Sequence, residues 1–529
     1  MITSIHRTMG AGMALALSYF VAPWAHAQMT DLTQTPNAEG VGIAKSLTDQ
    51  VGQGVGNQMS PGSSKFIIAR DPARSIRRGR QLFQRKFTLA QGIGPRARDG
   101  IGDIFAEANI GAGLVESCAG CHGRPRGSAG FGGDVFTRPD SRDAPHLFGL
   151  GLQEMLADEI TTDLRAIRDR AISDARRFRD PVTRSLTSKG INYGSIRAFP
   201  SGNVDTSGVR GVDADLRVKP FFAHGGTISI REFVVGAFND EMGLQAFDPD
   251  LIAAAAGGRV VTASGMVLDG RKDRFVRGLA NSAADDPDAD GVSNEIPTSL
   301  VDHMEFYLLN YFKPGTYRQT STTEAGLRLM KEIKCTTCHI QNLTINADRR
   351  VADVETVYDP QRGIFNKLFA TASLRLVEHN DGSGHPSIKM PAMEEFVVRN
   401  FFADLKRHDL GPNFHERNFD GNLQRQFVTE PLWGVGSTAP YGHDGRSINL
   451  REVILRHGGE AQDSRDRFAR LSESSKLAIM EFLNSLVLFP PDDTASNLDP
   501  GDRNAAGFPQ RGHGSIRLGA LFNDPTEPE

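Results

Sequence analysis

Cys118-Ala119-Gly120-Cys121-His122 and Cys335-Thr336-Thr337-Cys338-His339 hold all four cysteines of this 529-residue sequence. In each pentapeptide two thiols stand about one helical turn apart, the spacing at which they add to the two vinyl groups of a single haem. The next residue's imidazole then reaches the iron from the proximal side. A redox-active cysteine pair would not need the histidine, and a zinc site would need further cysteines or a paired histidine motif that the chain lacks. The reading is therefore two covalently bound haem c groups, one on Cys118, Cys121 and His122 and the other on Cys335, Cys338 and His339. Helical spacing surrounds both motifs. Arg74 to Phe87 carries Ile76, Leu82 and Phe83, while Thr323 to Lys334 carries Leu327, Met330 and Ile333 behind a Thr322 cap. Ser472 to Leu488 reads as a closing helix through Leu477, Ile479, Phe482, Leu483 and Leu486.

The first 27 residues read as a secretory leader: Arg7 gives the positive flank, Met9 to Val21 are mostly apolar or small, and Ala25-His26-Ala27 has the small-x-small form of a cleavage site. The apolar stretch is shorter than the roughly 20 residues of a spanning helix, and no later stretch reaches that length without charges. The expectation is a periplasmic protein with no membrane span after cleavage. The formal net charge is −4 with both signs mixed along the chain, which argues against a nucleic-acid partner. Residues 28–65 are rich in Gly, Gln, Ser and Thr and read as a linker or extended arm, and 491–529 as an irregular tail.

A short segment occurs twice with an offset near 220. Pro220-Phe221-Phe222-Ala223-His224-Gly225-Gly226 followed by Ile230-Arg231-Glu232 echoes Pro440-Tyr441-Gly442-His443-Asp444-Gly445 followed by Leu450-Arg451-Glu452. The interval from His122 to His224 is 102 residues and that from His339 to His443 is 104, as two copies of one haem-bearing unit would give. The copies differ five residues after the shared glutamate, where the second has His457 and the first Ala237. Only the histidine can supply a sixth iron ligand, so the second haem would be closed and the first open. Met390 and Met393 compete with His457 for that role; His443 reads as a turn residue and His408 as structure near the second haem.

At these residues the sequence resembles the bacterial di-haem peroxidase superfamily, which includes di-haem cytochrome c peroxidases and MauG-like enzymes. Those proteins carry a segment much like Ala439-Pro440-Tyr441-Gly442-His443-Asp444-Gly445-Arg446, with a distal ligand 14 residues past the histidine, the position of His457 here. After the first haem they have a Trp-Asp-Gly-Arg turn and an Asn-Pro-x-Glu-Met stretch. The counterparts here are His224-Gly225-Gly226-Thr227 and Asn239-Asp240-Glu241-Met242. Phe402 to Pro412, Pro431 to Gly436 and Arg456 to Ala461 are closest to the di-haem oxidoreductase family, whose members are often labelled peroxidases or thiol oxidoreductases. The resemblance spans roughly residues 70 to 490. It implies that the haem on His122 is the reactive one, that Glu241 matches the distal acid and base, and that the haem on His339 relays electrons with His457 as its distal ligand. Two positions depart from the pattern: His224 stands where the peroxidases have a tryptophan implicated in passing charge, and Arg138 where many have a displaceable histidine. Trp433 is the one tryptophan beyond the leader, and His146 the nearest histidine downstream of the first motif.

Glu241 beside a low-dielectric haem face is suited to moving a proton between the oxygens of a peroxide; the alternative is a surface carboxylate. Separately, Asp286, Asp288 and Asp290 precede Gly291 on a tight turn, the arrangement calcium selects. Pro297 stands where an EF-hand has its last glutamate, and Glu295 comes two residues early. A non-EF calcium loop at 285–295 competes here with a solvated acidic turn. The expected fold class is mainly α: two cytochrome c-like haem domains, 66–310 and 311–490, related by internal duplication, with irregular insertions and tails. The expected function is a di-haem peroxidase-type oxidoreductase taking peroxide or a small oxidant and exchanging electrons with a small redox protein. The alternatives are MauG-like or oxygenase-like oxidation of a protein or organic substrate, and a non-catalytic electron-transfer cytochrome.

Overall fold

The computed structural model describes residues 56–488 except 89–90, 94–114, 124–128, 131–133, 136–141, 312, 317, 359, 362–367 and 418–420. The leader at 1–27, residues 28–55 of the proposed arm, Arg138 and the tail 491–529 lie outside the described residues.

Capping residues set most helix starts. Asp71 ends α1 (Ser64–Arg70) and caps α2 (Pro72–Gln84), its carboxylate accepting from Arg74 N at 3.1 Å. Ser117 caps α3 (Cys118–His122) through Gly120 N. A 29-residue helix, α4 (Leu150–Phe178), follows, then α5 (Ile230–Met242), α6 (Pro249–Ala255) and α7 (Thr298–Leu309). After α8 (Ser321–Glu332) and the second motif come α9 (Leu450–Arg456), α10 (Gln462–Arg470) and α11 (Glu473–Asn484), the last capped by Ser472. The expected helices around the motifs are present with ends shifted by up to four residues, as fraying and cap choice allow.

The fold is not mainly α, however: it is only 36% helical, with many small strands. The expectation of a mainly α fold is corrected accordingly. Val182–Ser188 pairs antiparallel with Ile191–Ala198 across a Lys189-Gly190 turn in which both residues have positive φ. In the second strand Ile191, Tyr193, Ile196 and Ala198 are buried, roughly every second residue. That is the period of a strand with one face on a core. Further antiparallel pairs join Ala352–Tyr358 to Leu368–Leu374 and Leu376–His379 to Ile388–Pro391. Reading outward from the cysteine motifs finds helices because helices flank them; the strands lie in the intervening segments.

What does recur is a smaller unit. Phe221 bridges Thr227, and Tyr441 bridges Ser447. Ser229 then caps α5 through Glu232 N, while Asn449 caps α9 through Glu452 N, and each glutamate reaches back to accept from the amide of Ile228 or Ile448. The first copy continues helical to Met242, whereas the second stops at His457.

Three cores hold these elements. One packs α2, α5 and α7 around Phe83, Phe87, Phe238 and Tyr307. Another packs α4, through Leu156, Ile160 and Leu164, on the Val182–Ala198 hairpin, Phe401 and Trp433. The third joins α8 and α11 through Met330, Phe402 and Phe482. Glycine permits two close crossings: a Cβ on Gly79 of α2 would lie 2.3 Å from His303 O of α7, and one on Gly326 of α8 would lie 2.1 Å from Ala478 O of α11. Charge fixes α5 in the first core. Fully buried Arg231 pairs with Asp248 at 2.7 Å, Asp302 at 2.8 Å and Glu305 at 2.9 Å, tying α5 to the N-cap of α6 and to α7. Among the described residues no helix is long and apolar enough to cross a membrane.

Candidate haem sites

At the first motif the cap on α3 holds Cys118 and Cys121 on successive turns, and His122 Nδ1 lies 2.7 Å from Pro145 O. A carbonyl oxygen only accepts, so Nδ1 carries the proton towards Pro145, and the Gly130 carbonyl also meets the ring. Burial lowers the His122 pKa to about 4 and pushes both thiols up to about 12. A redox-active pair would instead have a depressed thiol, so the local electrostatics oppose that alternative.

The second motif repeats the geometry. His339 Nδ1 donates to Phe402 O at 2.9 Å, burial lowers its pKa, and the Cys335 thiol is pushed up to about 11 by burial. His457 closes α9, and its Nδ1 donates to Val453 O at 2.7 Å. Burial lowers its pKa to about 4, and the His339 ring, close enough to act as a like charge, lowers it further. The structure thus brings together two neutral imidazoles, each with one nitrogen fixed by a backbone carbonyl and the other available. Metal-ligating histidines are oriented in this way. The donor set fits a haem held on Cys335, Cys338 and His339 with His457 opposite. Met390 and Met393 are both more than half exposed and suit a buried ligand less well.

Other histidines are engaged elsewhere. His408 lies between Asp404 Oδ2 at 2.9 Å and Glu460 Oε2 at 2.8 Å. Burial disfavours its charge, yet the bond to Asp404 outweighs this and raises its pKa, leaving no lone pair for iron. His443 stacks on Phe427 with ring centroids 4.0 Å apart. His146 donates from Nε2 to Trp433 O and accepts the Phe148 amide at Nδ1, so both its nitrogens are used within the fold.

Glu241 sits in the last turn of α5, partly buried, close enough to Cys121 for its charge to raise that thiol's pKa. Ala237 lies one turn earlier on the same helix. The structure therefore brings Glu241 near Cys121 of the first motif. It also gathers Asp286, Asp288 and Asp290 within 4.8 Å of one another, and their charges add to the burial that raises the Glu295 pKa to about 9.

Sequence reasoning passed over Trp433 as a connecting residue. It is 1% exposed, its carbonyl binds His146, and its ring meets Phe401 edge-on with centroids 4.9 Å apart. The residues on either side, Pro145 and Phe402, hold the two proximal histidines. Nothing local in the sequence marks this, because the contacts join segments almost 300 positions apart.

Residues 340–486 match the sequence family described as "Di-haem oxidoreductase, putative peroxidase". The match begins directly after His339 and includes His457. It supports a di-haem oxidoreductase, with haem as the cofactor of that class. No curated protein matches the chain. Among solved structures, a xenon-pressurised hydrazine synthase from Kuenenia stuttgartiensis aligns with 86% of this chain and 100% of its own at 12% identity, TM-score 0.31. A MauG-like protein associated with microbial copper homeostasis aligns with 63% of this chain and 88% of its own at 13% identity, TM-score 0.24. At such scores neither likeness carries an argument.

Proposed function

We propose that the protein is a periplasmic di-haem c-type oxidoreductase of peroxidase type, reducing peroxide at the centre on His122 with electrons relayed by the centre on His339. The observation that carries this reading is the unlike pair of surroundings. His339 is faced by a second fixed imidazole, His457, whereas the vicinity of Cys121 and His122 receives the carboxylate of Glu241. A bound haem supplies the iron that exchanges electrons with an oxidant, and an open axial position is what admits one.

The chain's own residues supply the rest. The carbonyls of Pro145, Phe402 and Val453 fix the imidazole tautomers. Cys118, Cys121, Cys335 and Cys338 anchor the macrocycles through thioethers. Glu241, partly buried, would carry a proton from one peroxide oxygen to the other, the task of a positioned acid and base. A small soluble redox protein is the proposed electron donor, consistent with the leader at 1–27.

Electron paramagnetic resonance of the oxidised holoprotein, joined to a peroxide assay with a reduced small cytochrome, tests this. The expected result is one high-spin and one low-spin centre, with consumption of donor on adding peroxide. Two low-spin centres that bind neither cyanide nor peroxide would make the protein an electron carrier instead.

A further inference from the structure

Outside the haem sites, three carboxylates converge at the acidic loop and a fourth, Glu295, is buried a few residues on. Asp286 is tied to the loop's own backbone, accepting from Asp290 N at 3.1 Å and Gly291 N at 2.9 Å, and Asp290 Oδ1 accepts from Val292 N at 2.6 Å. Asp288 is 7% exposed. These three offer oxygens within 4.8 Å of one another. An acidic turn alone would be unremarkable, but Glu295 adds an independent feature. It is 4% exposed, its Oε2 accepts from Gln245 N at 2.7 Å, and its Oε1 is buried with no hydrogen-bond partner. Glu295 thus holds one oxygen buried and unsatisfied five residues beyond Asp290 in the same loop. Gly92 closes over it: a Cβ there would sit 2.4 Å from the Glu295 carboxyl carbon.

We propose that Asp286, Asp288, Asp290 and Glu295 form a calcium site that fastens this loop to the segment leaving α5. A set made only of carboxylate oxygens, without histidine or cysteine, selects a hard cation. So many carboxylates on one flexible loop suit calcium better than magnesium, which keeps more of its water. The position gives the site a consequence. Gln245, held by Glu295, comes three residues after Met242 ends α5, and Ala246 bridges Ile296 next to Glu295. An ion there braces the end of the helix bearing Glu241; this influence rests on the peroxidase reading, whereas binding itself does not.

Isothermal titration of chelator-treated holoprotein with calcium chloride, and then magnesium chloride, tests the site alongside thermal melts. Wild type is expected to bind calcium at least tenfold more tightly than magnesium and to melt at higher temperature with calcium present, since a ligand that binds only the folded state stabilises it. Asp288→Asn and Glu295→Gln are each expected to lose that heat and that shift, while melting without calcium no lower than wild type because like charges have been removed. Absence of calcium heat in wild type, equal affinity for magnesium, or wild-type binding in both variants would overturn the proposal. Loss of peroxide turnover with calcium binding intact would count against the haem reading and leave the ion site standing.

Discussion

At the scale of single residues, the deciding feature is which imidazole nitrogen carries the proton. His339 and His457 each donate from Nδ1 to a backbone carbonyl and so present Nε2, and His122 Nδ1 is fixed in the same way by Pro145 O. Replacing His457 with alanine removes the ligand but not the haem attachment. Optical and paramagnetic spectra are expected to show the low-spin signal converted to high-spin, with both haems retained on denaturing gels. An unchanged low-spin signal would assign the distal position to another side chain. Glu241→Gln keeps the shape and loses the proton carrier. Peroxide turnover is expected to fall by about 10²- to 10⁴-fold, the usual worth of a positioned acid or base, with resting spectra unaltered. Equal turnover by the two proteins would return Glu241 to the status of a surface carboxylate. The cysteine motifs stand out in the sequence because the proposed covalent attachment would demand a fixed local spacing. The role of His146 was not legible, since its partner Trp433 is distant in the chain.

At the scale of elements, the glycine crossings and the buried Arg231 decide how helices meet. Methyl insertion at Gly326 would collide with backbone rather than a movable side chain, so Gly326→Ala is expected to cost about 1–3 kcal/mol in denaturant unfolding, as overpacking does. A change below the error of the extrapolation would mean that α8 and α11 can part without penalty. Arg231→Ala strands the carboxylates of Asp248, Asp302 and Glu305 in the interior, and about 3–5 kcal/mol of destabilisation is expected. Chemical denaturation checks this, and near-normal stability would show that water or protonation relieves those groups. Helices beside the motifs were readable from their apolar period and caps. The long α4 carried the same signal in Leu152, Leu156, Ile160 and Leu164 but lies away from both motifs. The hairpin at 182–198 has alternating burial that only becomes decisive once α4 covers one face.

At the scale of the whole molecule, the two centres must exchange electrons if one is to serve the other, and the fold offers a continuous route. From His122 it runs through the bond to Pro145 O, along the chain to His146, and across the 3.0 Å bond to Trp433 O. It then passes from the Trp433 ring to Phe401 and on to Phe402, whose carbonyl holds His339. This places an indole between the segments that hold His122 and His339. Trp433→Phe preserves an aromatic ring against Phe401 and leaves the backbone bond to His146 in place, so structure and ligation should persist. Photoreduction followed by absorbance at the two haem bands is expected to show equilibration between centres slowed by an order of magnitude or more, about tenfold at least, while each centre's resting spectrum stays as in wild type. If equilibration keeps its wild-type rate, the indole serves packing alone and electrons cross elsewhere.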